Sequence, residues 1–130
     1  MKNKFKKTLT GTAIAAALSL SVGLPVFAAT ATTSFSYAGK TVNCQLIANW
    51  GWGTDDGTAK TYVNGGSGNY PLGAYCNAYS NGTLLGGNHS NAFDYASVTI
   101  HYSSDEFRSS HNIQNSNRVP LKSTKITLTD

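Results

Sequence analysis

Two short segments restrict this chain most. Thr41 to Asn49 and Leu72 to Tyr79 each alternate with the two-residue period of a half-buried strand, and each carries one of the only two cysteines. In the first, Val42, Cys44, Leu46, Ala48 and Trp50 share a face; in the second, Leu72, Ala74, Cys76 and Ala78 do. Both thiols therefore fall on apolar faces, which two packed strands could bring together. A Cys44–Cys76 disulfide is the expectation. It would close a loop of about 33 residues and contribute about 4 kcal/mol in the chain-entropy account.

That expectation needs an oxidising compartment, and the N-terminus supplies one. Lys2, Lys4, Lys6 and Lys7 precede an apolar or small run from Leu9 to Leu24, Pro25 ends it, and Val26-Phe27-Ala28 fits a small-x-small cleavage site. Residues 1–28 read as a secretory signal peptide and 29–130 as a single domain, with 29–38 either a flexible tail or a first edge strand. The run is short and diluted for a membrane span, so no stable span is expected after cleavage, and the product is expected to be extracellular.

Removing the leader also removes the charge. The whole chain carries a net charge of +4, and four of its lysines lie in the leader. Beyond it, Lys40, Lys60, Arg108, Arg118, Lys122 and Lys125 balance Asp55, Asp56, Asp94, Asp105, Glu106 and Asp130. A neutral body without a basic cluster excludes an electrostatic nucleic-acid surface.

No helical period runs through the remainder. Thr58–Val63, Tyr95–Ser103 and Ser123–Thr129 read as further strands. Asn81-Gly82 marks a two-residue type I′ hairpin pairing Tyr75–Ser80 with Thr83–Leu85. Asn64–Tyr70, Gly86–Asn91 and Asn112–Asn117 read as loops, and Ser103–Glu106 as a hairpin turn leading into an alternating Phe107, Ser109, His111, Ile113. Short strands with frequent turn signals predict an all-β fold, a small antiparallel β-sandwich or barrel. Opposed cysteines with Trp50 on the face of Cys44 resemble the immunoglobulin-like arrangement in architecture, though the cysteine span is shorter than such domains use.

No residue set here forms a catalytic or metal constellation. His89, His101 and His111 lack the close spacing of metal ligands, no cofactor motif occurs, and Asp105 and Glu106, being adjacent, would point to opposite faces of a strand. The aromatic residues are more informative. Tyr75 and Tyr79 flank Asn77 on the face away from the cysteines, and Trp52 sits in a Gly-rich turn. Rings beside amides suit a sugar, a peptide or another protein. Trp52, Tyr75, Asn77 and Tyr79 are therefore the candidate binding residues. The expectation is a secreted domain that binds a protein or a cell-surface glycan, in one form a bacteriocin-like antimicrobial. The alternatives are a small hydrolase using Asp94, Glu106 and a histidine, and a structural component of a surface layer or biofilm.

Overall fold

The computed structural model describes residues 6–10, 14–19 and 27–130. The strands are β1 (Lys6–Thr10), β2 (Ile14–Ser19), β3 (Phe27–Tyr37), β4 (Lys40–Trp50), β5 (Asp55–Tyr62), β6 (Pro71–Ser80), β7 (Thr83–Phe93), β8 (Tyr95–Tyr102), β9 (Glu106–Gln114) and β10 (Pro120–Thr129). Within 27–130 they form two four-stranded antiparallel sheets. Sheet A has the order β10-β9-β6-β7, and sheet B the order β3-β4-β5-β8. The two short N-terminal strands extend them, β1 beside β10 and β2 beside β3. Most of the segment read as a signal peptide lies outside the described residues.

The sheets stack as a sandwich. β10 lies over β3 and β4, β9 over β4 and β5, and β6 over β5 and β8. Alternation decides what enters the space between them. Val42, Cys44, Leu46, Ala48 and Trp50 from β4 are all buried, as are Leu72, Ala74, Cys76 and Ala78 from β6. The largest ring pair of the core is Trp50 against Phe107, with centroids 6.0 Å apart. Phe107 also packs against Gly57, where a Cβ would collide with its ring.

Turn chemistry sets the connections. Asn81 and Gly82 both have positive φ, 50° and 78°, as a type I′ turn requires. Ala38-Gly39 turns β3 into β4 in the same way. The β4–β5 and β9–β10 connections also stay within a sheet, whereas β5–β6, β7–β8 and β8–β9 carry the chain from one sheet to the other. Asp94 alone joins β7 to β8 with φ at 65°. Residues 103–105 carry β8 into β9 in the opposite sheet, so the expected hairpin there is a sheet-to-sheet corner. The segment 86–91, expected as a loop, is the middle of β7. The segment from Asn112 to Gln114, also expected as loop, is the end of β9.

The structure corrects the disulfide. Cys44 and Cys76 are both buried free thiols. Alternation puts each on an inner face, but it does not oppose the strands: β4 faces β9 and β10, whereas β6 faces β5 and β8. A polar bridge fills the interval. Thr61 is the ladder neighbour of Cys44, and Ser109 that of Cys76. Fully buried His111 joins them, Nδ1 at 2.8 Å from Thr61 Oγ1 and Nε2 at 2.7 Å from Ser109 Oγ. Burial pushes both thiols up to about 12, so they stay protonated and behave as small apolar groups.

Proton counting fixes that bridge. The Thr61 hydroxyl donates to the Gly73 carbonyl at 2.9 Å, so its oxygen receives the His111 Nδ1–H, and the Ser109 hydroxyl donates to Nε2. The ring is neutral. Desolvation carries its pKa from 6.5 down to about 3, against a weaker pull upward from a hydrogen bond to the Lys60 backbone.

Candidate functional site

The outward face of β6 is where the sequence places its tyrosines. Tyr75, Asn77 and Tyr79 alternate with the buried Ala74, Cys76 and Ala78, so they must point away from the core. On β9 the same rule sends Arg108, Ser110 and Asn112 outward, between the buried Phe107, Ser109, His111 and Ile113. Ladder pairing then sets Asn77 beside Arg108, Tyr75 beside Ser110 and Gly73 beside Asn112. Together with Lys125 and Pro120 of β10, these side chains line an open groove of about 420 Å³.

The groove is built rather than incidental. The Arg108 guanidinium lies 3.9 Å from the Tyr79 ring centroid. Glu106 Oε1 holds it there, accepting from Nε at 2.8 Å and standing 2.6 Å from Nη2. The cation and ring thus form one rigid wall. Opposite, the Tyr75 ring stacks on His89 of β7, centroids 5.3 Å apart and planes within 18°. The floor is polar. Asn112 and Gln114 occupy outward positions yet are only 4% and 3% exposed.

Glycine makes that burial possible. A Cβ on Gly73 would stand 2.6 Å from Asn112 Oδ1, 2.5 Å from Gln114 Nε2 and 2.8 Å from the Tyr75 ring. Without it, three side chains fold together over the strand. Gln114 Nε2 donates to Asn91 Oδ1 at 2.7 Å. Asn112 Oδ1 meets no hydrogen-bond partner among the described residues, although it is fully enclosed. A buried acceptor left so costs about 1–3 kcal/mol; its residue is one of those lining the groove, with Oδ1 itself turned away from solvent.

Of the four candidate binding residues, the structure brings three together: Tyr75, Asn77 and Tyr79 line one groove. Trp52 does not join them. It stands 74% exposed on the turn between β4 and β5, in the other sheet. Sequence reasoning missed Arg108, Ser110, Asn112 and Lys125. Arg108 to Gln114 continue the alternation that starts at Phe107, and that signal was available.

The residues of the hydrolase alternative are dispersed. Asp94 sits at the Pro71 end of β6 and Glu106 at its Tyr79 end, a separation of about 26 Å at 3.3 Å per residue. The Asp94 carboxylate accepts from the backbone N–H of Gly68 and, at 3.1 Å, of Tyr70, which clasps the 64–70 loop. Glu106 is engaged by Arg108. His101 pairs with Asp56 at 2.6 Å on the outer face of sheet B. Among the described residues no three His, Cys, Asp or Glu side chains cluster as metal ligands. In comparisons with known proteins, no family model, no curated protein and no solved structure matches the chain.

Proposed function

We propose that the protein is an exported glycan-binding module whose ligand lies in the sheet A groove. The observation that carries this reading is the pair of half-buried rings, Tyr75 and Tyr79, flanking the Asn77 amide along one open groove. A sugar has the two properties the groove asks for. Its C–H faces pack on aromatic rings, and its hydroxyl or acetamido groups donate to fixed amide oxygens. The neutral mature chain, without any block of like charge, fits a partner recognised by shape and hydrogen bonds. Action on a neighbouring cell's envelope, as in a bacteriocin, is one use of such a module.

The test is retention of the secreted protein on whole cells and on purified wall polysaccharide. Tyr75→Ala and Tyr79→Ala should each weaken retention by about tenfold, the equivalent of one aromatic contact, with little change in melting. Equal retention of both variants and wild type would remove the groove from the account.

One observation favours a second reading, assembly into a surface layer. β3 is an eleven-residue strand without a charged side chain, and β2 occupies its outer edge. Cleavage after Ala28 would remove β2 and leave that edge open to another chain. Sedimentation of the secreted form over a wide concentration range separates the two readings, since a binding module stays monomeric and a layer protein polymerises.

A further inference from the structure

The groove does not end at Asn112. A second cavity, of about 440 Å³, opens on the other side of Gln114 and is lined by Asn91, Phe93, Gln114 and the 115–118 turn. The two flank Gly73, because Asn112 lines the first, Gln114 lines the second, and both side chains lie across that one glycine. Phe93 is 64% exposed at the far side. It is the ladder partner of Pro71, whereas Tyr79 sits at the opposite end of β6. Aromatic rings therefore stand at both ends of a run of about 26 Å along β6, with the Asn112–Gln114 amides between them.

We infer that the ligand is an extended polysaccharide chain, read along β6 through two subsites, one lined by Tyr75 and Tyr79 and one by Phe93, and passing over the buried Asn112–Gln114 amides at Gly73 between them. This rests on the glycan reading above and adds length to it. A single sugar could fill either cavity alone. Two cavities in line on one strand, with a ring at each far end, are matched by a repeating ligand, whose successive units present the same C–H faces and hydroxyls at each.

The experiment uses the full chain, processed as its host processes it. A glycan array graded by chain length identifies the best sugar, and calorimetry then compares its dimer with its hexamer. The hexamer should bind at least tenfold more tightly. Phe93→Ala should abolish that advantage and leave the dimer unchanged, while Tyr79→Ala should weaken both. Phe93 is a surface residue, so an unchanged thermal melt establishes that the variant is folded. Equal affinities for dimer and hexamer, or a Phe93→Ala variant that keeps the advantage, would overturn the two-subsite chain while leaving the Tyr75–Tyr79 groove as the binding site. Failure of every glycan on the array to bind would overturn the glycan reading itself and this inference with it.

Discussion

His111 makes this fold acid-sensitive in a way that can be calculated. The ring is fully buried between Thr61 and Ser109 and stays neutral down to about pH 3, against an ordinary 6.5 in the unfolded chain. Between these values the unfolded state binds the extra proton, so acid favours unfolding. The stabilisation is complete above pH 6.5 and declines as pH falls towards 3. At about 1.36 kcal/mol per unit of pKa difference, acidification from pH 7 to 4.5 costs about 3 kcal/mol through this residue alone. That is a large part of the 5–15 kcal/mol that holds a typical domain together. Urea unfolding, followed by the fluorescence of Trp50 in the core, measures it at the two pH values. His111→Asn supplies the control, because it removes the titration while retaining a polar side chain. The variant should be less stable at pH 7, having left the Thr61 and Ser109 hydroxyls poorly matched, yet lose about 3 kcal/mol less than wild type on acidification. Parallel pH slopes in the two proteins would refute the buried neutral imidazole.

Other consequences follow from single contacts. The purified protein should show two thiols by mass spectrometry and resist alkylation while folded, since burial pushes both thiol pKa values up to about 12; a melting curve that drops on adding reductant would contradict this. Asp94→Ala should destabilise the fold by about 2 kcal/mol and open the 64–70 loop to protease, because the carboxylate holds two of that loop's N–H groups; an unchanged cleavage rate would show that the clasp is idle. Phe107→Ala should cost about 3–5 kcal/mol, seen as a lowered urea midpoint, since the ring fills the space between Trp50 and Gly57. On the proposed glycan reading, Gly73→Ala should abolish binding more completely than it lowers the melting temperature, because its methyl group would push Asn112, Gln114 and the Tyr75 ring out of place.

How much of this can be read from the sequence depends on how local the cause is. The Asn81-Gly82 turn and the strands holding Cys44, Cys76 and Val98 follow from adjacent residues, and the structure has them where the pattern puts them. β7 escapes because it is an edge strand with solvent on much of its surface. Nothing forces Gly86, Gly87 and Asn88 to alternate, so the stretch has the composition of a loop. The disulfide fails for a related reason. Alternation reports which face a side chain takes and says nothing about which strand of the other sheet lies opposite, and Thr61, His111 and Ser109 fill the interval. His111 itself is half legible: its place among Phe107, Ser109 and Ile113 predicts an inward ring, while its partners come from strands remote in sequence. The groove is legible on one side only. Tyr75, Asn77 and Tyr79 are visible from their own strand, but the neighbour that adds Arg108, Ser110 and Asn112 is set by sheet order.

The most direct measurement is an amide and side-chain NMR titration of isotopically labelled protein with the polysaccharide it retains. Shifts concentrated at Tyr75, Asn77, Tyr79, Arg108 and the Asn112 side-chain amide, extending to Phe93 as the chain lengthens, are what this account predicts. Shifts gathered instead around Trp52 or along the outer face of sheet B, with the Asn112 amide unmoved, would contradict it.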